Sequence, residues 1–197
     1  MRHLDDDSRF GVMLQPGSFS RPDLRLNHWA VDNGCYAHPE RFDLNAYLDY
    51  VLQLIDFKET CLFVTLPDVP RDWRQTLDRS TTYLSSMSAL GLPLAFVAQD
   101  GMPVDLVPWD AVRAVFVGGS DDWLDGGCAD ILREAGRRGK WRHLGRTNTL
   151  RRLKIAMRLC CDSVDGTYLK FGPTVNLPKL RRMMETVHLH REYLLEG

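Results

Sequence analysis

The chain has 197 residues, of which 44% are hydrophobic and 26% are charged, and this composition is typical of one ordinary globular domain. No apolar run approaches the roughly 20 residues that a membrane-spanning helix needs, and the acidic start "MRHLDDDSRF" lacks the apolar segment of a secretory signal. We therefore expect a single domain over residues 1–197, located in the cytoplasm and without a membrane partner.

Seven short apolar segments recur along the chain, and turn residues bound each of them. Their nearly continuous content of Val, Leu and Phe is typical of strands that are buried on both faces, as in a parallel sheet. The seven segments cover residues 10–16, 28–34, 61–68, 93–100, 114–120, 141–147 and 161–167.

Helical patterns lie between most of these segments. Apolar residues recur at helical spacing from Leu44 to Ile55, with Asp43 as the expected N-cap, and Asn148 is the expected N-cap of a later helix. A last amphipathic helix is expected at about residues 176–195. This βα repeat predicts an α/β fold of the (β/α)8 TIM-barrel type, compact or slightly truncated because such barrels usually have about 250 residues. A doubly wound open sheet is the alternative.

Acids, amides and glycines follow five of the seven predicted strands at their carboxyl ends. In parallel α/β folds the active site is built at that edge, although any one of these residues alone is a common turn former. Carboxylates in a pocket suit glycosidic chemistry, and acid and amide groups match the edge of a guanine-like base. The residues concerned are Asp32-Asn33-Gly34, Asp68, Gln99-Asp100-Gly101, Gly118-Gly119-Ser120 and Asp165-Gly166.

Basic residues are concentrated in the last third of the chain. Residues 133–182 contain fourteen Lys or Arg and three Asp or Glu, a net charge of +11, whereas the whole chain has a net charge of −1. Such clustering favours a polyanion partner, and a solvated helix face is the simpler alternative.

Cysteine and histidine patterns do not predict a metal site. The five cysteines form no CxxC or CxC pair, so we expect reduced thiols and neither zinc nor another cofactor. His188 and His190 in "HLH" could supply one zinc ligand, but the other ligands are missing.

The motifs at the strand ends resemble those of the tRNA-guanine transglycosylase superfamily. The resemblance is greatest to the short phage and bacterial DpdA-type proteins, which exchange guanine in DNA for a 7-deazaguanine. It covers about residues 28–170, and its most specific piece is "GRTNTLRRLKIAMRLCCDSVDGT". It implies a barrel without the zinc subdomain, in which His188 is a relic, and a bacterial, phage-encoded origin. The implied partners are DNA, a free preQ0-like base and a partner protein or second copy of the chain.

The resemblance also implies roles for individual residues. Asp165 in "DSVDGT" matches the nucleophile, Asp32 in "AVDNGCY" matches the acid implicated in proton transfer, and Asp162 is implied to be structural. The implied base-binding residues are Tyr36, Asn33, Asp68, Gln99, Gly118, Gly119 and Leu144, and the candidate phosphate-binding residues are Arg146, Arg151, Arg152 and Lys154.

Two other functions remain open at this point. One is a DNA or nucleoside N-glycosidase of the same fold, in which water replaces the incoming base. The other is a nucleic-acid-binding partner of a longer transglycosylase, without catalytic activity of its own.

Overall fold

The computed structural model describes residues 10–17, 24–25, 27–36 and 39–195. The side chains of Pro39 and of residues 188–195 lie outside this description, so the expectation for His188 and His190 does too.

All seven predicted strands are present in one parallel sheet, in which each strand pairs with the next one along the chain. The predicted parallel α/β class is therefore confirmed. The strands are β1 (Val12–Leu14), β2 (Trp29–Val31), β3 (Cys61–Thr65), β4 (Leu94–Ala98), β5 (Ala114–Val117), β6 (Trp141–Leu144) and β7 (Ser163–Val164).

The order of the strands gives the winding of the sheet. A doubly wound sheet reverses its strand order at a switch point, and this sheet runs from β1 to β7 without reversal, so that alternative is wrong. The sheet is also curled, because the rings of Phe63 in β3 and His143 in β6 lie 5.1 Å apart. In a flat sheet strands three places apart would be separated by about 14 Å. The architecture is an open, barrel-like sheet with β1 and β7 as its edges.

Two apolar clusters lie on the two faces of the sheet, since successive side chains of a strand point to opposite faces. The inner cluster contains Phe63, Val97 and Phe116, which lie inside the curl. The outer cluster lies between the sheet and the helices, and Val115 and Leu144 belong to it. Polar residues on the inner face just beyond the apolar cluster therefore face the opening of the curl, which we call the mouth.

Five α-helices are present among the described residues, and side-chain caps begin three of them. Asp43 caps the first helix, as predicted, and Asp72 caps the second. The prediction for Asn148 is wrong by one residue, because the Thr149 hydroxyl caps the fourth helix, while Asn148 Oδ1 accepts a hydrogen bond from the Thr167 amide. The helices are α1 (Leu44–Leu52), α2 (Trp73–Ser88), α3 (Ala129–Arg137), α4 (Leu150–Arg158) and α5 (Pro173–Leu195).

The last helix begins three residues earlier than predicted. Gly172 has a left-handed φ of 86°, and Pro173 then occupies the first helical position, where a missing N–H costs nothing. Within the described part of the chain, no helix combines the length and the apolar character needed to cross a membrane.

Candidate active site

Polar side chains from four strands meet at the mouth. Asp68 follows β3 and accepts hydrogen bonds from Asn33, which follows β2, and from Gln99, which follows β4. The charge of Asp165, which follows β7, acts on Asp32 beside β2. The curl of the sheet thus brings the two predicted catalytic acids to one opening.

Asn33, Asp68 and Gln99 form a buried group that we call the amide cluster. Asn33 Nδ2 donates to Asp68 Oδ1 at 2.9 Å, and Gln99 Nε2 donates to Asp68 Oδ2 at 2.6 Å. The Arg71 amide donates to Gln99 Oε1 at 2.8 Å, and the Thr65 hydroxyl accepts from the Asn33 side chain. Each carboxylate oxygen has two lone pairs, so both oxygens of Asp68 keep the capacity to accept from a ligand.

Burial changes the proton affinity of both acids on this side of the mouth. Desolvation raises the pKa of Asp68 to about 6, although hydrogen bonds from Asn33 and Gln99 oppose the rise. Desolvation also raises the pKa of Asp32, and the negative charge of Asp165 adds to the rise, whereas the hydrogen bond from the Gly34 amide opposes it. A carboxyl group with a raised pKa suits general acid catalysis near neutral pH.

Asp165 has two oxygens in different surroundings. Its Oδ1 lies 3.0 Å from the Arg146 amide, which donates to it, and 3.1 Å from His143 Nε2. Within the described residues, Oδ2 has no hydrogen-bond partner, and the side chain is 26% exposed. One oxygen is therefore held while the other remains open, as a nucleophilic carboxylate requires.

Gly118 and Gly119 lie in close contact with the residues that follow β4. A Cβ at Gly118 would lie 3.0 Å from Gln99 Nε2, and one at Gly119 would collide with Asp100 Oδ2. Gly119 also has a φ of 115°, which side chains rarely tolerate. The pair thus lets Gln99 and Asp100 lie close to the backbone, and the buried Gly119 accepts from Arg146 through its carbonyl. Asp100 accepts hydrogen bonds from the Ser120 amide and hydroxyl.

Tyr36 and Arg146 face each other across the mouth. The guanidinium of Arg146 lies 5.6 Å from the centre of the Tyr36 ring and donates to the Tyr36 hydroxyl at 3.1 Å. It also donates to the Gly119 carbonyl at 2.6 Å and contacts Asp121. Tyr36 is 57% exposed, so its ring is accessible at the rim.

Leu144 does not reach the mouth. It is the last residue of β6, is fully buried and belongs to the outer cluster beneath the helices. Because side chains alternate along a strand, His143 points inward where Leu144 points outward. The expectation that Leu144 covers a base is corrected accordingly.

The four candidate phosphate-binding residues differ in their surroundings. Arg151 is 74% exposed and pairs with Asp125, and Lys154 is half-buried with no ion-pair partner among the described residues. Arg152 is only 13% exposed and bridges Asp121 and Asp125, and its guanidinium also donates to the Arg146 carbonyl. Arg152 is thus held within the structure, as Arg146 is at the mouth.

The basic residues have more ion-pair partners in the structure than the sequence indicates. Between residues 133 and 158 the only acid is Glu134, yet Asp121, Asp125, Asp130 and Asp162 supply further partners in space. Asp162 accepts from the Arg142 amide and side chain, consistent with a structural role.

Sequence reasoning missed two residues of the site, His143 and Ser163. The register pairs His143 with Ser163, two residues before Asp165, and both lie on the inner face. Alternation along β6 places His143 and Leu144 on opposite faces, so once the inward face is known, the histidine near the carboxyl end of the strand is expected to face the site.

Comparisons with known proteins assign no family to this chain. No protein-family model and no curated protein matches it. Solved structures that align include methylaspartate ammonia lyase from Clostridium tetanomorphum, with 18% identity over 84% of this chain and 44% of that chain and a TM-score of 0.46. Another is the EAL domain of FimX from Xanthomonas citri in complex with c-diGMP, with 16% identity over 72% of this chain and 58% of that chain and a TM-score of 0.45. This chain thus spans less than two thirds of either structure.

Proposed function

We propose that the protein is a glycosyltransferase that exchanges guanine in DNA for a 7-deazaguanine base through a covalent intermediate on Asp165. The observation that carries this proposal is the pair of acids at the mouth. Asp165 has one bound and one open oxygen, and Asp32 has a pKa raised by burial and by the charge of Asp165. We also propose that the sheet is a compact form of the (β/α)8 barrel without a zinc subdomain.

The first half of the reaction removes guanine. The target nucleotide leaves the duplex, because its C1′ is hard to reach within the base stack. Asp165 Oδ2 forms a bond to C1′ while the bond from C1′ to N9 breaks and its electron pair goes to guanine. Asp32, protonated at the start, gives its proton to the departing base.

The second half inserts the new base. N9 of the 7-deazaguanine forms a bond to C1′, the ester bond to Asp165 breaks and its electron pair returns to the carboxylate. Asp32 takes the proton that N9 loses and is ready for the next cycle. Two inversions at C1′ give net retention, as in a retaining glycosidase.

The amide cluster serves to recognise the base in this proposal. Guanine and its 7-deaza analogues present N–H donors and a carbonyl acceptor along one edge. Asp68 can accept from such donors, and the neighbouring Gln99 side chain and the backbone of Gly118 and Gly119 border the same space. Asn33 supports Asp68 through its amide hydrogen bond, and the exposed Tyr36 ring offers a stacking surface.

The test is an exchange assay with guanine-labelled polymer. The purified protein is incubated with labelled DNA, and separately with labelled tRNA, with and without a free 7-deazaguanine such as preQ0. Release of label from DNA only when the free base is present supports the proposal and identifies the base. Release without an added base identifies a glycosidase. No release from either polymer overturns the catalytic proposal and favours a binding partner.

A further inference from the structure

His143 is a buried histidine directly behind the proposed nucleophile. Only 2% of its surface is exposed. Its ring stacks on Phe116, with the ring centres 4.6 Å apart, and meets the edge of Phe63. This packing fixes the plane of the imidazole and directs Nε2 at Asp165 Oδ1, 3.1 Å away.

A chain of hydrogen bonds continues behind the imidazole. Nδ1 lies 2.8 Å from the Ser163 hydroxyl, and Trp141 Nε1 donates to the same hydroxyl oxygen at 2.7 Å. The indole N–H can only donate. The described residues offer the hydroxyl proton of Ser163 one acceptor, which is Nδ1 of His143. Donation by Ser163 to that acceptor places the proton of a neutral imidazole on Nε2.

The direction of this chain suits an ionised Asp165. An ionised carboxylate only accepts hydrogen bonds, so the Nε2–H group of His143 donates to Oδ1 together with the Arg146 amide. Both donors bind the same oxygen, which leaves Oδ2 available.

We propose that His143 is a positioning residue for Asp165, whose Oδ1 it holds through an Nε2–H tautomer that Ser163 and Trp141 select, so that Oδ2 attacks the sugar carbon. This inference rests on the proposed function, because it assigns Asp165 as the nucleophile. The charged groups that face His143 are Asp165 from the β7 side and Asp32 from the β2 side. Phe63 and Phe116 face it from β3 and β5 with uncharged rings.

The test compares two replacements of His143 in the full chain. The carboxamide of His143→Gln can still donate to Asp165, whereas His143→Leu cannot. We expect His143→Leu to lower kcat about 10- to 100-fold, the scale of a hydrogen bond to a charged group, with a smaller change in KM. We expect His143→Gln to keep most of the wild-type kcat.

Ser163→Ala and a matched histidine control complete the set. Ser163→Ala removes the group that selects the tautomer, so we expect an intermediate loss of kcat, about several-fold. The control is His28→Gln, which changes an exposed histidine at the amino end of β2 and should leave kcat unchanged. Equal losses of kcat in His143→Leu and His143→Gln would show that His143 only fills space and would overturn the proposal.

A spectroscopic readout separates this inference from the exchange activity. The ¹⁵N chemical shifts of His143 in the wild-type protein, assigned by their absence in His143→Gln, report which ring nitrogen carries the proton. We expect the Nε2–H tautomer, and a mixture of tautomers in Ser163→Ala. If the wild-type protein shows no exchange but has the Nε2–H tautomer, the proposed function fails while the arrangement around Asp165 stands. An Nδ1–H tautomer overturns the positioning role whether or not exchange occurs.

Discussion

The two sides of the mouth hold their carboxylates in different ways. On the β2–β4 side, Asp68 is buried among amides that occupy both of its oxygens. On the β6–β7 side, Asp165 is partly exposed, and its two donors share one oxygen. One amide donor on each oxygen holds Asp68 in place from both sides, whereas both donors to Asp165 bind Oδ1 and leave Oδ2 without a partner among the described residues.

Burial also changes the proton affinity of two acids at the mouth, Asp68 and Asp32. Burial raises the pKa of Asp68 to about 6, which places its titration close to neutral pH. Asp32 lies between the two sides and combines burial with the field of Asp165, and its pKa is raised as well. Asp68 and Asp32 thus both bind a proton more tightly than an exposed aspartate does.

The largest expected effect tests the side that contains Asp165. Asp165→Asn should keep the Oδ1 contacts and remove the nucleophile, so exchange should fall by about 10⁴-fold or more. The measurement is label release in the exchange assay, and DNA binding should persist. The control Asp162→Asn changes the acid that pairs with Arg142 and should retain exchange. Undiminished exchange by Asp165→Asn would show that the open oxygen of Asp165 has no chemical role.

The second largest expected effect concerns Asp68 and the dependence of the free energy of unfolding on pH. The pKa of Asp68 is higher in the folded chain, about 6, than its ordinary value of 3.8, so the folded state binds the proton more tightly. The stability that this proton contributes is complete below about pH 4 and is lost as the pH rises through 6, an effect on the order of 3 kcal/mol. Asp68→Asn should flatten this part of the curve of unfolding free energy against pH.

Urea unfolding between pH 4 and pH 7 measures that change. Asp105→Asn replaces an exposed aspartate and serves as the control, so its curve should follow that of the wild-type protein. Parallel curves for Asp68→Asn and the wild-type protein would contradict the inference that burial of Asp68 governs this pH range. Asp32 contributes a change in the same direction, so the variant curve should not become flat.

The recurring apolar segments predicted the sheet and most of the residues at the mouth, because burial on both faces imposes a simple apolar pattern on each strand. All seven strand segments and the cap at Asp43 follow from local sequence. Four residues were predicted to lie at one edge of the sheet because they follow strands, and parallel strands share their carboxyl edge. These residues are Asp32, Asp68, Gln99 and Asp165.

Other features depend on contacts between distant segments and could not be predicted locally. Which face of β6 turns inward decides between Leu144 and His143, and that depends on the register with β7. The pairing of Arg152 with Asp121 and Asp125 joins residues about thirty positions apart. A sequence pattern gives the number of charges in a region, but the fold decides which of them remain free.

The next prediction, with a smaller expected effect, compares two neighbouring arginines of α4. One of them, Arg152, supports the Asp165 side of the mouth through the Arg146 carbonyl. Arg152 bonds to Asp121, Asp125 and the Arg146 carbonyl, and its removal deletes three contacts of a side chain that is only 13% exposed, although Asp121 keeps Arg146 and Asp125 keeps Arg151. Arg152→Ala should therefore lower the free energy of unfolding by about 1–3 kcal/mol. The matched control Arg151→Ala removes an exposed pair and should cost less than about 1 kcal/mol. Equal losses in urea unfolding would mean that Arg152 is no better anchored than Arg151.

The smallest expected effect concerns the same helix and DNA. Arg151 is exposed in the first turn of α4, which follows β6 at the edge that contains the mouth, and Lys154 has no ion-pair partner among the described residues. If both contact phosphates, Arg151→Ala and Lys154→Ala should each reduce the slope of log affinity against log salt by about 1. Arg113→Ala, at the amino end of β5, is the control and should leave the slope unchanged. A slope that falls equally in all three variants would assign DNA binding to overall charge, and the mouth would then lack a defined path for the phosphate backbone.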